Sequence, residues 1–232
     1  MMSEPVERII QHLSRAQQLY QQVCDNQELT QLHALQEWQC QRLLASHQDL
    51  YSHKAFRPAM TFFVDELYGP QDFSQRDADI ARVIPKMSAL LPDQALESLA
   101  AALHLNALSL ELDIAMYQQL VGRTIDRNSY ADAYRACDNR SLRVQQIEYI
   151  ETLGQELANV VHIKGIGTLL MLSRKPAKLA GVLTLHEFLE KGFKAFKKLG
   201  DVNAFLHPII SREKAIMEAL FSDQANPLPE GL

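Results

Sequence analysis

Glu66, Tyr68, Arg76 and Asp77 stand within a dozen residues of one another, and Arg212 and Glu213 form a second polar pair far along the chain. If the fold brings the two groups together, they make a polar binding pocket, because guanidinium, carboxylate and phenol supply both charges and both hydrogen-bonding roles. The bland reading of the same residues is a buried ion network that satisfies only itself, since an unpaired buried charge is costly. A second constellation lies on segment 184–199. There Leu185, Phe188, Leu189, Phe193 and Phe196 repeat at helical spacing, while Lys191, Lys194, Lys197 and Lys198 occupy the remaining directions. A basic amphipathic helix of this kind suits an anionic membrane or a protein partner. Its ordinary use is to turn the apolar face into a core and the lysines into water.

Other chemistries leave fewer traces. Carboxylate-bridged metal sites on helices need Glu-x-x-His pairs, which put a carboxylate and an imidazole on one face, and the sequence has none. His-x-x-x-His and HExxH are missing as well. His186 with Glu190 and His33 with Glu37 have helical spacing, and exposed surface pairs are their simpler reading. Haem needs one axial histidine and no spacing rule, so His104, His162 and His207, set among apolar residues, stay open as ligands or as ordinary core histidines. Glycine-rich phosphate loops and a serine nucleophile elbow are absent, and Cys137 has no histidine near it in sequence. No catalytic or metal-binding residue is therefore assigned, and the cofactor is left unknown.

The chain has 232 residues, 47% hydrophobic and 22% charged, which is the make-up of a folded globular protein rather than of a disordered one. Its net charge is −5, placed unevenly: residues 1–122 carry 8 Lys and Arg against 15 Asp and Glu, and residues 123–232 carry 15 against 13. An acidic chain without aromatic residues between its bases disfavours nucleic acid. Cys24, Cys40 and Cys137 form no CxxC pair, so free thiols in a reducing compartment are expected. With no apolar run long enough to span a bilayer and no leader visible after Met1, a cytoplasmic location is expected.

Apolar residues recur every three or four positions through most of the chain, so the elements that must place these side chains are helices. The expected fold is all-α, a single-domain bundle of roughly 9–11 helices. Residues 1–46 should form an antiparallel hairpin packed on residues 54–221, with 222–232 a frayed tail. Tyr68-Gly69-Pro70 should end a helix through a left-handed glycine. Ser74 with Asp77 resembles a capping box at the start of the next helix. The segment 162–183, with Gly165, Gly167, Pro176 and Gly181, should break into short pieces. Gly181 and Gly192 should be places where a neighbour approaches too closely for a β-carbon.

The stretch Phe62-Phe63-Val64-Asp65-Glu66-Leu67-Tyr68 resembles the signature of the FFLEELY-motif proteins, with Val64 and Asp65 standing where that motif has Leu and Glu. Similar elements include Arg76-Asp77, Leu112-Asp113, Pro176-Ala177, Phe188-Leu189-Glu190 and Arg212-Glu213, so the likeness covers roughly residues 50–221. It implies a bacterial, helical protein of unassigned activity. Function is then left with a non-catalytic bundle binding a protein partner or a small apolar ligand, with a homo-oligomer possible. The alternatives are a haem- or metal-dependent enzyme with its cofactor between helices, and peripheral membrane association through residues 184–199.

Overall fold

The computed structural model describes residues 3–70, 72–88, 91–222 and 224–231. Met1 and Met2, on which the expectation of no leader rests, lie outside them. The helices are α1 Glu4–Asp25, α2 Leu29–Ser46, α3 Gln48–Ser52, α4 Arg57–Phe62, α5 Ser74–Met87, α6 Asp93–Leu120, α7 Arg127–Ala136, α8 Arg140–Val160, α9 Ile166–Leu179, α10 Leu183–Lys197 and α11 Val202–Leu220. A π-helical turn, Phe63–Tyr68, continues α4. No strand occurs among the described residues, so the fold is all-α as expected.

The axis of the bundle is α6, with buried residues along its length from Leu96 to Leu120. By length and composition it could cross a membrane, but α1, α2, α7 and α8 pack around it and Asp113 sits, buried, on its inner surface. The expected α1–α2 hairpin does not form as a packed pair. Instead α1 runs alongside α6 in the same direction, with Arg8 paired to Glu97, His12 beside His104 and Arg15 paired to Glu111. Its stripe Val6, Ile9, Leu13, Ala16, Leu19 and Val23 is long enough to cover most of α6, which buries more apolar area than a short neighbour such as α2 could. α2 packs on α6 and on the π turn.

The π turn explains the glycine that follows it. Gly69 has φ −66° and ψ 166°, an extended conformation and not the left-handed cap. A β-carbon there would lie 2.6 Å from the carbonyl oxygen of Val64, because the wider turn folds residue 69 back over residue 64. The capping box expected at Ser74 is also replaced: the Ser74 amide donates to Asp72 Oδ1 at 2.8 Å, and Asp77 is engaged by Arg76. A true capping box forms at Asp126 and Ser129, opening α7.

Segment 162–183 holds one helix rather than several short ones: α9, Ile166–Leu179, entered through Gly165 at φ +93° with Pro176 accommodated inside it. Gly181 is needed for its φ of +69°, not for a close approach. Gly192 is a packing position as expected, since a β-carbon there would meet the Phe62 ring at 2.9 Å. Gly192→Leu should therefore lower stability by about 1–3 kcal/mol, read as a fall in melting temperature; an unchanged value would mean the ring can move aside. The expected tail behaves differently from a frayed end. Leu228 is buried in the core beside α7 and α11, and the Asn226 side chain donates to the Arg127 carbonyl at 2.8 Å while its own carbonyl accepts from the Arg127 guanidinium. Asp223 and Leu232 of that segment lie outside the described residues.

Candidate functional site

Where α2, α6, α7, α8, α11 and the π turn meet, polar side chains are buried in the middle of an apolar core. From α2, Arg42 places Nη1 2.6 and 2.7 Å from the two carboxylate oxygens of Glu213 on α11. His47, fully buried, lies with Nε2 2.9 Å from Glu213 Oε1 and Nδ1 3.2 Å from Arg212. Arginine can only donate, so Nδ1 is the acceptor and Nε2 carries the proton toward Glu213. Burial alone would raise the Glu213 carboxyl, but the Arg42 charge and the His47 hydrogen bond hold it down at about 2. The charges of this pair answer each other within the protein, with Arg42 Nε left without a partner.

The second buried guanidinium is not so answered. Arg143 on α8 is 3% exposed; its Nη1 donates to Gln146 Oε1 at 3.1 Å, and Gln146 in turn donates to Ser109 at 2.9 Å. Its Nε and Nη2 have no protein partner, and the guanidinium lies 4.7 Å above the Tyr134 ring. Asp113, on α6, is the carboxylate whose charge it feels. Burial pushes Asp113 up to about 6, against the opposing pull of Arg143 and of the hydrogen bond from Gln36. Asp113 Oδ2 accepts from Gln36 at 3.1 Å and Oδ1 has no partner. Almost every buried polar group in a folded protein is paired, so two open donor positions on one buried cation stand out.

Arg143 lines a cavity of about 120 Å³. Arg42, Glu213, Tyr68, Tyr130, Tyr134, Ser109 and Gln146 supply its other polar edges, and the rest of the wall is apolar, including Met60, Phe63, Ile147 and Met217. Next to it is a wider, more polar chamber of about 330 Å³, whose lining includes Asp113, Gln36, His33, Asp77 and Tyr20. Leu67, Tyr68 and Ser109 line both, so the end of the π turn is the partition between them. Burial holds the Tyr68 phenol well above its usual range, which keeps it a neutral donor and acceptor. π turns recur at functional sites because the extra residue re-aims the side chains that follow.

The residues singled out from sequence are thus divided. Glu66, Arg76 and Asp77 come together, but as a clamp: Arg76 Nη1 donates to the Glu66 carbonyl at 3.0 Å and Nε to Asp77 at 2.8 Å, between the rings of Phe73 and Phe188. Lys191 closes it from α10, 2.5 Å from Glu66 Oε1. Tyr68 and Glu213 share the inner cavity, Tyr68 and Asp77 the outer chamber, and Arg212 lies outside both, holding Asp49 at 2.9 Å. Sequence reading missed Arg42, Asp113, Tyr130, Tyr134, Arg143 and Gln146. The legible trace was Asp113 itself, a carboxylate inside a long apolar run.

Lys191, Lys194, Lys197 and Lys198 are all exposed, and the first three have neighbours within the protein. Lys191 is bound to Glu66, Lys194 to Glu190, and Lys197 sits over the Phe193 ring, while Phe196 and Leu185 face the core. Among the described residues no group of three or more His, Cys, Asp or Glu is placed to hold a metal ion. His162 and His207 are exposed rather than set in apolar pockets, and His104 is packed between His12 and Tyr149. Cys40 is buried and its thiol is pushed up to about 12, which makes it a poor nucleophile.

Residues 18–227 match a family described as "Domain of unknown function (DUF8198)". No curated protein and no solved structure matches the chain.

Proposed function

The chain belongs to that family, and on this premise we propose that it is a non-catalytic binding protein for a small organic anion, a monocarboxylate with an aromatic or short branched apolar body. The observation that supports it is Arg143: a buried guanidinium with Nε and Nη2 unpartnered on the wall of a largely apolar cavity. A planar carboxylate answers two adjacent N–H groups of a guanidinium with two parallel hydrogen bonds. An apolar cavity of about 150 Å³ takes a benzene-sized molecule, and the inner cavity here, at about 120 Å³, sets a similar limit. The outer chamber would be the route in, with Leu67 and Tyr68 as the partition a ligand must pass. The likeness of Phe62–Tyr68 to the FFLEELY motif belongs to the same reading, since the motif would then build that partition. A bacterial cytoplasm also belongs to it, supported by the three free thiols.

Titration calorimetry on the full chain with benzoate, 3-methylbutanoate and the uncharged benzamide tests this. The carboxylates should bind and raise the melting temperature while benzamide does not. Arg143→Gln should weaken carboxylate binding at least ~10-fold, the worth of one lost charge-assisted hydrogen bond. Asp113 gives a second signature. As pH falls through about 6 its carboxylate is neutralised, which leaves Arg143 uncompensated, so affinity should rise on going from about pH 7.5 to about 5.5, where a carboxylate ligand is still ionised. Asp113→Asn should bind tightly at both. Equal binding of acid and amide, or an unaffected Arg143→Gln, would sink the proposal.

A further inference from the structure

The α-helix least buried in the bundle is α9, which packs on α10. None of its residues is buried, although it carries Leu169, Met171, Leu172 and Leu179, which are 47%, 71%, 66% and 90% exposed. Residues 168, 172, 175 and 179 follow one line along a helix, so Leu172, Lys175 and Leu179 form the centre of its outward face, with Met171 and Lys178 beside them. The inward side is lightly held. Gly167 touches the Phe193 ring, and the Leu170 carbonyl lies 2.7 Å from His186 Nε2. Beneath Ile166, Leu169 and Leu170 is a cavity of about 240 Å³ with a nearly all-apolar wall. Of the bases around the patch, Arg174 is bound to Glu187 and Glu190, whereas Lys164, Lys175 and Lys178 pair with no carboxylate among the described residues.

Isolated exposed apolar residues are ordinary, but three on one helix face, mixed with unpaired lysines, mark an interaction surface. We infer that α9 docks this protein on an anionic lipid bilayer, with Leu172, Leu179 and Met171 entering the acyl boundary and Lys175 and Lys178 meeting the headgroups. Charge selects this occupant over a second copy of the chain. A two-fold contact through α9 would put the same patch on both sides of the interface, and α9 carries three bases with no Asp or Glu to answer them. An anionic bilayer answers them, and lysine stems long enough to reach the headgroups let the neighbouring leucines go deeper. The inference does not depend on the chamber around Arg143.

Co-sedimentation of the full chain with vesicles of phosphatidylcholine alone, or with phosphatidylglycerol added, tests it. The wild type should pellet only with the anionic vesicles, and raising salt should release it, because exposed charges are screened beyond about 8 Å at physiological ionic strength. Leu172→Asp with Leu179→Asp should abolish pelleting. Lys175→Glu with Lys178→Glu should weaken it at least ~10-fold, since each base at such a surface is worth about fivefold. Lys54→Glu with Lys214→Glu changes the net charge equally at positions away from both basic helices and should pellet like wild type. Circular dichroism and melting curves verify that each variant is folded, as exposed positions permit. The inference is overturned if the wild type stays in solution with both vesicles, or if the two charge-reversed variants behave alike. It is also overturned if, without lipid, the chain forms a dimer that Leu172→Asp with Leu179→Asp dissolves.

Discussion

Arg42→Met should cost about 3–5 kcal/mol of unfolding free energy at neutral pH, the largest effect expected of any single substitution in the core. Both Glu213 oxygens accept from Arg42 Nη1, and neither residue has much contact with water. Without the guanidinium, Glu213 keeps His47 as its neighbour and becomes a buried carboxylate with no neutralising charge. Replacing both partners, Arg42→Met with Glu213→Leu, should recover most of the loss, because two apolar side chains leave nothing stranded. Arg143→Met supplies the contrast. Its guanidinium makes one side-chain hydrogen bond and leaves two nitrogens open, so its loss should cost clearly less than that of Arg42 in urea unfolding. A loss as large as that of Arg42→Met would make Arg143 a structural partner and remove the support for a bound anion.

Asp113→Asn should remove a pH dependence worth ~3 kcal/mol, the free-energy equivalent of moving a carboxyl from 3.8 to about 6. The sign follows from the folded value lying above the unfolded one. Protonated Asp113 is favoured in the folded chain, so its stabilising contribution is complete below about 3.8 and is lost as pH rises through about 6. Asparagine cannot ionise and escapes that loss. The stability of Asp113→Asn minus that of the wild type should therefore grow by ~3 kcal/mol between about pH 3 and pH 8, with other titrations cancelling in the difference. Parallel curves for the two proteins would mean that Asp113 does not carry this titration. Glu213 works in the opposite direction: held at about 2, it stabilises the fold above the ordinary glutamate range and that contribution fades as pH falls toward 2.

Helices were legible because their signal is local. The stripe from Val6 to Val23 needs only a 3.6-residue period to be recognised, and it is buried at each of its main positions. Gly192 was legible for a related reason, a gap in the apolar face of a helix that has to meet an aromatic ring. Glu66, Arg76 and Asp77 could be grouped because ten residues of chain tie them together. What the same local reading could not give is which faces meet. The α1 stripe fits an α2 partner or an α6 partner equally well by period, and only total buried area decides for α6.

By itself, then, the sequence determined the all-helical class, the main helix positions and the motif that turns out to be a π turn, since each depends on residues within one or two turns of each other. The tertiary structure alone decided the site. Arg42, Asp113, Arg143 and Glu213 are spread across four helices, and nothing in their spacing says that Arg42 is paired while Arg143 is left with open donors. It also decided which basic helix shows apolar side chains to water: the lysines of α10 and those around α9 are exposed alike, but α10 buries Leu185 and Phe196 in the core, whereas α9 leaves Met171, Leu172 and Leu179 outside.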